Sequence, residues 1–470
     1  MRICDLYDID SEVEVGKIRI NSKEVEEGDI FVCTFGVTAD RHDFIDEAIE
    51  NGASLIVVSR DVGVKSVPVI KVENTNQELI SLARRLYRFE NGDLKLLGVT
   101  GTNGKTTIAL MIKHIVGDVC GYIGTNGLVS HSFQESIRNT TPDADRLYMY
   151  FRRFIDDECK YLSMETSSEA FYRNRLDTLE FEVGIISNIT EDHLNIHKTI
   201  ENYVSCKMEL LKKIKKDGVA ILNADDKYYD LALENVCSNV LTFGQKEGVT
   251  LQIVNVEDRK SGSHITYRYM DKLVEMDSPY IGVINAYNLA ASILCCLHLG
   301  IALEEILERV KSLPIIEGRL QEVGKSNYSV ILDYAHTTDA FMKILPILNS
   351  RKKNRLIVVT GSAGGREVEK RAPMGKYILE HADHVIFTMD DPRYESVLDI
   401  ISDLVSASDL TNYEIIEDRK KAIHKALTIA EEGDVVLVAG KGVDNYMAIK
   451  SEYLPYSDLE VIDEYFEERI

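Results

Sequence analysis

The sequence has few cysteines, few prolines and fewer basic than acidic residues, and each shortage narrows the possible functions. The eight cysteines among 470 residues are scattered, and no pair has the C-x-x-C spacing of a structural zinc site. Asp and Glu outnumber Lys and Arg by 77 to 54, and this excess of negative charge argues against a nucleic-acid partner. No apolar run reaches the length of a membrane span. We therefore expect reduced thiols, no zinc site, no nucleic-acid partner and no membrane insertion.

The remaining composition is that of a globular α/β protein. Apolar residues make up 45% of the chain, only 8 residues are prolines, and 470 residues are enough for two to four domains. Residues 1–8 are acidic and lack the apolar core of a signal peptide. We expect a soluble, cytoplasmic protein, with a monomer as the default oligomeric state.

Short strands alternate with helices in three successive units, which predicts an α/β fold of three domains. Residues 1–92 are expected to form a small N-terminal α/β domain. Residues 93–316 are expected to form a central parallel-sheet domain of the P-loop ATPase type with a β-rich insert. Residues 317–470 are expected to form a C-terminal, doubly wound, Rossmann-like domain. Ligands in such sheets bind at the carboxyl ends of the strands.

The most informative segment is residues 98–107, GVTGTNGKTT, between an apolar strand and a helical pattern. A glycine-rich turn there aims backbone N–H groups and the positive end of a helix at one point, which suits a polyphosphate. The common P-loop pattern has a glycine where this chain has Val99, so a βα turn without a ligand is the alternative. Lys105 is expected to reach the outer phosphates, and Thr106 to hold Mg²⁺. The predicted ATP-binding residues of this loop are Gly101, Thr102, Asn103, Gly104, Lys105, Thr106 and Thr107.

Two further strand ends carry groups suited to a metal ion. Glu165 follows an apolar strand, and a carboxylate beside a phosphate loop is a natural second holder of Mg²⁺. The segment after another strand contains Asp192, His193 and His197, of which one histidine would join a second metal ion and the other would order the loop. Lys207 lies in an apolar helical pattern that by itself places the lysine in solvent.

Charged loops in the C-terminal unit favour recognition of an amino acid. Asp333 follows a strand and is expected near a nucleotide ribose or base, or else in the cap of the next helix. Guanidinium groups bind carboxylates in bidentate fashion, and carboxylates hold amino groups. The candidates are Arg366, Arg371 and Arg393 for the carboxylate and Asp390 and Asp391 for the amino group. The alternative is that these are ordinary charged side chains in solvent that bind no ligand.

Taken together and in this order, these motifs resemble those of the Mur ligase family, ATP-dependent enzymes that form peptide bonds. The resemblance spans nearly the whole chain and is greatest for the MurE branch, which makes a UDP-N-acetylmuramoyl-tripeptide. Residues 21–31 with 42–44 are similar to a segment that holds the uridine nucleotide. The other segments that carry the resemblance are residues 100–107, 139–143 (NTTPD), 333–336 (DYAH) and 390–393 (DDPR).

The resemblance implies roles for individual residues. The implied catalytic residues are Lys105, His193 and Lys207. The implied Mg²⁺ ligands are Thr106, Glu165, His193 and Lys207 as a carbamate. The further implied ATP contacts are Asn188, Arg319 and Asp333. The implied contacts of the muramoyl-peptide are Ser22, Asn139, Thr140, Thr141, Ser167 and Arg175. The implied contacts of the amino acid are Arg366, Asp390, Asp391, Arg393, Gly440 and Asp444.

The implied reaction spends ATP to join an amino acid to UDP-N-acetylmuramoyl-L-alanyl-D-glutamate through an acyl-phosphate. Four segments depart from the family's pattern. Glu169 replaces a histidine, Gly365 replaces an aspartate and Thr338 replaces a proline. Residues 440–444 read GKGVD, so that Val443 replaces a histidine and Asp444 a glutamate. That glutamate binds the distal amino group of diaminopimelate, whereas Arg393 suits its distal carboxylate. We favour meso-diaminopimelate as the amino acid, with L-lysine next.

Two rival hypotheses stay open. The chain resembles, less closely, other Mur-type ligases such as a folylpolyglutamate synthase or the D-alanyl-D-alanine-adding enzyme. The second rival is a catalytically weak paralogue that senses a nucleotide or a muropeptide, which the residues Glu169 and Val443 motivate.

Overall fold

The structure is a computed structural model that describes residues 1–35, 40–259, 262–324, 326–365 and 368–467. Three large sheets with flanking helices, and one two-stranded sheet near the C-terminus, give the described residues a three-domain α/β architecture, as the sequence predicts. Across the described residues, none of the helices has both the length and the apolar character needed to cross a bilayer.

The N-terminal domain is built on four parallel strands. Its elements are α1 (Ile3–Leu6), β1 (Ile18–Arg19), β2 (Ile30–Val32), α2 (Ile45–Glu50), β3 (Leu55–Val58), β4 (Val69–Lys71) and α3 (Thr75–Tyr87), with 3-10 turns at Ser22–Glu24 and Arg41–Phe44. Helix α3 begins at Asn74, whose side chain accepts hydrogen bonds from two backbone N–H groups, and ends at Arg88, which has a left-handed backbone. This helix leads the chain into the central domain.

The central domain contains an eleven-stranded sheet. Its elements are β5 (Lys95–Thr100), α4 (Lys105–Val116), β6 (Cys120–Gly124), β7 (Gly127–Val129), β8 (Gln134–Glu135), α5 (Ala144–Asp156), β9 (Tyr161–Glu165), α6 (Ser168–Tyr172), β10 (Phe181–Ile186), α7 (Leu194–His197), α8 (Ile200–Lys212), β11 (Ile214–Asn223), α9 (Tyr229–Glu234), β12 (Asn239–Gly244), β13 (Leu251–Asp258), β14 (Ser263–Tyr269), β15 (Lys272–Ser278), α10 (Val283–His298) and α11 (Leu303–Val310). Leu97 and Val99 of β5 pack in one core with α4 and α10, whereas Leu96 packs in another with α3 and α5. This alternation places helices on both faces of the sheet.

The predicted β-rich insert extends this sheet through β13, β14 and β15. Strands β14 and β15 form a hairpin that turns at Met270 and Asp271, and both residues have positive φ. That backbone geometry is the one required by the tight turns that match the twist of a hairpin. The β-rich insert therefore consists of three strands.

The C-terminal domain contains a six-stranded sheet with helices on both faces. Its elements are β16 (Gln321–Val323), β17 (Ser329–Asp333), α12 (Thr338–Arg351), β18 (Leu356–Thr360), α13 (Arg371–His381), β19 (His384–Phe387), α14 (Val397–Val405), β20 (Tyr413–Ile415), α15 (Arg419–Ile429), β21 (Val435–Ala439), β22 (Tyr446–Ile449), β23 (Glu452–Pro455) and α16 (Asp458–Glu467). The order is β16-β17-β21-β18-β19-β20, and β16 is antiparallel while the others run parallel.

The strand order brings the candidate loops together. In the central sheet β5 lies between β9 and β10, with Val99 opposite Glu165 and Thr100 opposite Ile186. In the C-terminal sheet Asp333 is opposite Ala439, so the loops after β17 and β21 start side by side. Because parallel strands end at one edge, the functional segments of each sheet gather there.

Candidate active site

The phosphate loop forms the turn between β5 and α4, and the packing around it requires two of its glycines. Gly101 has a φ of +146°, and a Cβ there would overlap Ser187 Oγ. Gly104, the N-cap of α4, has a φ of +89°, and a Cβ there would lie 2.5 Å from Asn288 Oδ1. Both positions therefore exclude a side chain. The first turn of α4 lines a cavity, where its unpaired N–H groups suit an anion.

Two lysines meet at the carbonyl group of Gly101. Lys105 Nζ donates to Gly101 O at 2.9 Å and to Thr102 O at 3.0 Å, and Lys207 Nζ donates to Gly101 O at 2.8 Å. Lys207 is 1% exposed, and its ammonium lies 4.5 Å from the centre of the Tyr203 ring. Burial, and after it the charge of Lys105, holds the pKa of Lys207 well below its usual value. The helical pattern alone places Lys207 in solvent; the structure instead buries it beneath the phosphate loop.

Glu165 is fully buried at the end of β9. Its Oε1 accepts hydrogen bonds from Tyr122 OH at 2.6 Å and from Thr125 N at 2.9 Å. Thr125 Oγ1 donates to Oε2 at 3.3 Å and lies 3.0 Å from Thr140 Oγ1. These bonds hold the carboxylate at the wall of the cavity that Thr106 also lines.

Asp192 and His193 line the same cavity. His193 begins α7 in a left-handed conformation, and its Nε2 lies 3.6 Å from Asp192 Oδ2. Burial by itself raises the pKa of Asp192, but nearby positive charges, led by His193 and His336, outweigh it and lower that pKa to about 2. Asp192 is therefore ionised at neutral pH.

The oxygen donors of this cavity fit a magnesium ion. The carboxylates of Glu165 and Asp192 and the hydroxyl groups of Thr106 and Thr125 are the hard ligands that Mg²⁺ prefers. Within the described ranges, three or more His, Cys, Asp or Glu side chains do not come together as a closed metal site. An ion here would therefore take its remaining ligands from water and from substrate phosphates, which is usual for Mg²⁺.

The C-terminal domain closes the other side of the cavity. Arg319 Nη2 donates to Thr106 Oγ1 at 3.2 Å, and the guanidinium lies 4.8 Å from the centre of the Tyr334 ring. Asp333 accepts hydrogen bonds from Leu320 N and Ala335 N, each at 2.7 Å, and burial raises its pKa. Arg319 thus brings a permanent positive charge next to the phosphate loop.

Asn188 fixes the phosphate loop from the neighbouring strand end. Its side chain accepts a hydrogen bond from Asn103 N at 3.1 Å and donates to Asn103 O at 3.0 Å. The Asn103 side chain in turn donates to Asp339 of the C-terminal domain. The Asn188 side chain therefore fixes the shape of the phosphate loop by binding the backbone of Asn103.

The segment at residues 139–143 braces the loop that follows Glu165. Thr141 Oγ1 donates to Glu165 O at 2.8 Å and accepts from Ser167 N at 3.0 Å. Arg175 donates to Thr141 O at 3.0 Å and pairs with Asp143. Ser167 caps α6 and lines the cavity. These predicted muramoyl-peptide contacts therefore lie in one connected group.

A second cavity, of about 370 Å³, separates the N-terminal domain from the central domain. Asn139 lines it, together with Asn21, which precedes the buried Ser22. Arg138 and Arg146 both pair with Glu24 across the domain boundary. Arg41 of the N-terminal domain lines the same cavity as Arg138 and Arg146 of the central domain, beside the predicted uridine-binding segment.

The predicted amino-acid site contains a cation of its own. Asp391 Oδ1 accepts hydrogen bonds from Lys441 Nζ at 2.7 Å and from Ala448 N at 2.9 Å. Lys441 is fully buried, and it lies 3.6 Å from Asp444 and 4.6 Å from the centre of the Tyr446 ring. Burial raises the pKa of Asp444 to about 6. In this structure the amino group bound to Asp391 is therefore that of Lys441.

The structure places the other predicted residues of that site in different surroundings. Gly440 packs against the buried Asp390, and Arg393 is joined to β22 because its backbone N–H donates to Ala448 O at 3.0 Å. Arg371 is 1% exposed and donates to Glu395 and Asp403, so the expectation that it binds a substrate carboxylate is wrong. Arg366 lies outside the described residues.

The main cavity, of about 260 Å³, gathers much of the predicted site at the boundary of the central and C-terminal domains. The predicted residues that line it are Thr102, Asn103, Gly104, Lys105, Thr106, Thr107, Thr140, Glu165, Ser167, His193, Lys207, Arg319 and Asp333. The cavity therefore combines the phosphate loop with two lysines, an arginine and several oxygen donors.

Comparison with known proteins agrees with this arrangement. The Mur ligase family catalytic domain matches residues 14–92, the Mur ligase middle domain residues 99–296, and the Mur ligase glutamate ligase domain residues 318–442. The UDP-N-acetylmuramoyl-L-alanyl-D-glutamate–2,6-diaminopimelate ligase 1 of Clostridium acetobutylicum is 35% identical, over 98% of this chain and 96% of the relative. The corresponding ligase of Aquifex aeolicus is 37% identical, over 95% and 92%. The chain belongs to the Mur ligase family.

Solved structures agree with that assignment. A UDP-N-acetylmuramoyl-L-alanyl-D-glutamate–2,6-diaminopimelate ligase superimposes with a TM-score of 0.66 at 26% identity, over 100% of this chain and 99% of the other. MurF of Thermotoga maritima in complex with ADP has a TM-score of 0.69 at 23% identity, over 96% and 97%, and shows the shared fold. The predicted family, fold class and ligase class are confirmed, while the exact domain boundaries stay predictions.

Several residues that line the main cavity of this Mur ligase, or contact a residue that lines it, were not predicted from the sequence. Asn285 and Asn288 are buried amides on α10, and Thr125 and Tyr122 come from the strand β6 and the turn after it. Two amides at i, i+3 in an otherwise apolar helix are an unusual pattern, and that pattern was the available signal. Tyr122 and Thr125 carry no such signal, because only the strand order places them beside Glu165.

Proposed function

We propose that this Mur ligase adds a diamino acid, with meso-diaminopimelate favoured over L-lysine, to UDP-N-acetylmuramoyl-L-alanyl-D-glutamate in cytoplasmic synthesis of the peptidoglycan precursor. The observation that carries the proposal is the single cavity in which Lys105, Lys207 and Glu165 meet Ser167 and Arg319. The relatives named for this reaction cover nearly the whole chain. Its partners are then small molecules, ATP among them, and the protein acts as a monomer.

The first step is phosphoryl transfer. A carboxylate oxygen of the D-glutamate of the substrate attacks the γ-phosphorus of ATP, the bond to the β–γ bridging oxygen breaks, and ADP leaves. The transferred group carries negative charge over its oxygens, which Lys105 and Arg319 offset from opposite domains. Positioning contributes as much as charge, because the reacting atoms must be in line.

The second step is amide formation. The amino group of the incoming amino acid attacks the acyl carbon, the tetrahedral intermediate expels phosphate, and the amine gives up one proton. The C-terminal domain would deliver this amino acid, with Arg393 on a distal carboxylate and Asp444 near an amino group. Water must be excluded while the acyl-phosphate exists, which suits a site that forms between two domains.

Mg²⁺ would be held by Glu165, Thr106 and His193, and when bound it would neutralise phosphate charge. Lys207, as a carbamate, would help to place a second Mg²⁺. Carbamylation needs a neutral amine, and burial favours that form of Lys207. The UDP portion of the substrate would occupy the second cavity, near Ser22 and Asn139, with arginines available for its diphosphate.

The test is an amino-acid panel with purified protein, ATP, Mg²⁺ and UDP-N-acetylmuramoyl-L-alanyl-D-glutamate, in which ADP and the product mass are both measured. We expect ADP formation to depend on both co-substrates and the product to carry diaminopimelate. Much faster incorporation of lysine would overturn the choice of amino acid. ADP release that is independent of both co-substrates, or absent, would instead favour the sensor hypothesis.

A variant tests the predicted contact between Arg393 and the distal carboxylate in the same assay. Arg393→Ala removes a charged hydrogen bond worth about 1.5–3 kcal/mol, so the KM for diaminopimelate should rise about 10- to 100-fold. The exposed Arg152→Ala, on the outer face of α5, is the matched control and should leave the KM unchanged. An Arg393→Ala protein with the KM of the wild type would remove the main support for a distal carboxylate.

A further inference from the structure

His197 is a buried histidine behind the wall of the main cavity. It ends the short helix α7, four residues after His193, and is 1% exposed. Its Nε2 is hydrogen-bonded to Ser168 Oγ at 3.0 Å, and within the described chain its Nδ1 has no hydrogen-bond partner. A buried polar atom without a hydrogen-bond partner costs free energy, so its presence in a folded protein calls for an explanation. Ser168 itself lines the cavity.

The ring also joins two helices by aromatic packing. It lies edge-on to Tyr203 of α8 at 5.3 Å and to Tyr172 of α6 at 5.4 Å between ring centres. Edge-to-face pairs at this distance are attractive, and they fix the relative rotation of the rings. His197 therefore holds α6 against α8, at a point between the phosphate loop and the predicted substrate contact Ser167.

Tyr203 continues the connection to the phosphate loop. Its hydroxyl lies 3.0 Å from Thr102 Oγ1, and its ring lies under the Lys207 ammonium at 4.5 Å. Thr102 Oγ1 in turn donates to Thr190 O at 3.1 Å and accepts from Thr190 N at 2.9 Å. The contacts thus run from the nucleotide loop through Tyr203 and His197 to Ser168, one residue from the substrate candidate Ser167.

We infer that His197 is a positioning residue that sets the distance between the nucleotide loop with Lys207 on one side and the start of α6 on the other. This role rests on the proposed function, because these two sides would carry the phosphoryl donor and the acceptor carboxylate. A displacement of about 1 Å in such a site can cost a hundredfold in rate. His197 needs no contact with substrate to have this effect.

A double-mutant cycle tests the pair. His197→Phe keeps a ring for packing and removes the bond to Ser168, and Ser168→Ala removes the partner hydroxyl. We expect each variant to lower kcat about 10- to 100-fold with little change in the KM for ATP. The double variant should lose no more than the larger single loss, because both changes remove one bond. Wild-type kcat in either variant, or losses that multiply, would overturn the inference.

Two further measurements separate positioning from folding and from the proposed function. His197→Gln can still bond Ser168 and should recover part of the kcat, while His264→Phe, on the β14 hairpin, is the matched control and should change nothing. Hydrogen exchange needs no activity: residues 168–172 should exchange faster in His197→Phe, with the rest of the central domain unchanged. Unchanged exchange in α6 would overturn the inference, whereas a wild-type protein without ligase activity would refute only the proposed function.

Discussion

Replacing Asp145 with asparagine should stabilise the protein, and the gain should grow as the pH rises. Asp145 lies in the first turn of α5 at the boundary with the N-terminal domain, and it is 4% exposed. Its Oδ1 has no hydrogen-bond partner in the part of the chain that the structure describes. Burial, reinforced by the charge of Asp143, raises the pKa of Asp145 to about 7.

The size of the effect follows from linkage. The carboxyl group titrates near 3.8 in the unfolded chain and at about 7 in the fold. A shift of about three pKa units corresponds to about 4 kcal/mol. The positive end of α5 favours the charged form by about 0.3–1 kcal/mol, which is too little to cancel the cost of burial. We therefore expect a stability difference of about 2–4 kcal/mol above pH 7.

The sign of the pH dependence is set by the order of the two pKa values. Below pH 3.8 both states are protonated and Asp145 costs nothing. As the pH rises towards 7, the unfolded chain loses its proton first, so the free energy of unfolding falls. Asparagine does not titrate, so the variant avoids this loss. The two proteins should therefore be equally stable at the acid end and diverge up to neutral pH.

Thermal unfolding of both proteins at pH 5, 6.5 and 8 measures the divergence. The central domain is large, so about 2–4 kcal/mol should raise its Tm by about 5–15 °C at pH 8. Asp156→Asn, at the exposed end of the same helix, is the matched control and should shift Tm little and equally at every pH. A Tm difference between Asp145→Asn and wild type that stays constant with pH would show that Asp145 is ionised in the fold and would refute the reasoning.

Two other predictions concern buried charges. Lys207→Ala should lower kcat at least about 100-fold and recover part of it with short-chain carboxylic acids, whereas the exposed Lys212→Ala on the same helix should not change it. Full activity of the unrescued Lys207→Ala protein would contradict the carbamate. Asp458→Ala leaves the fully buried Arg419 without its bidentate partner and should cost about 3–5 kcal/mol in urea unfolding. An unchanged unfolding midpoint would contradict that account of the pair.

Sequence patterns predicted the strands and the turns that follow them. The apolar run before Gly98 and the helical spacing after Lys105 are local, and they alone indicate a phosphate loop between a strand and a helix. Glu165 and Asp333 were predicted in the same way, because a polar residue at the end of a buried strand lies at the ligand-binding edge of a parallel sheet.

Burial and pairing were not predictable in this way. The helical pattern alone placed Lys207 in solvent, and Arg371 was a candidate for a substrate carboxylate, yet each is 1% exposed. Lys207 bonds the carbonyl group of Gly101, 106 positions away, and Arg371 neutralises Glu395 and Asp403. Asp391 was expected to hold a substrate amino group, and in the fold it bonds Lys441.

The sequence by itself thus determined the family, the three-domain α/β class and the position of the phosphate loop, because these depend on residues that are neighbours along the chain. Only the tertiary structure decided which charged side chains face the cavity and which are paired with other side chains in the interior of the protein. That decision depends on contacts between distant segments, since desolvation and the nearest opposite charge set the state of each group. The same two lysines, Lys105 and Lys207, illustrate both cases: a motif identifies the first, and only the packing of α8 beneath that motif brings the second to it.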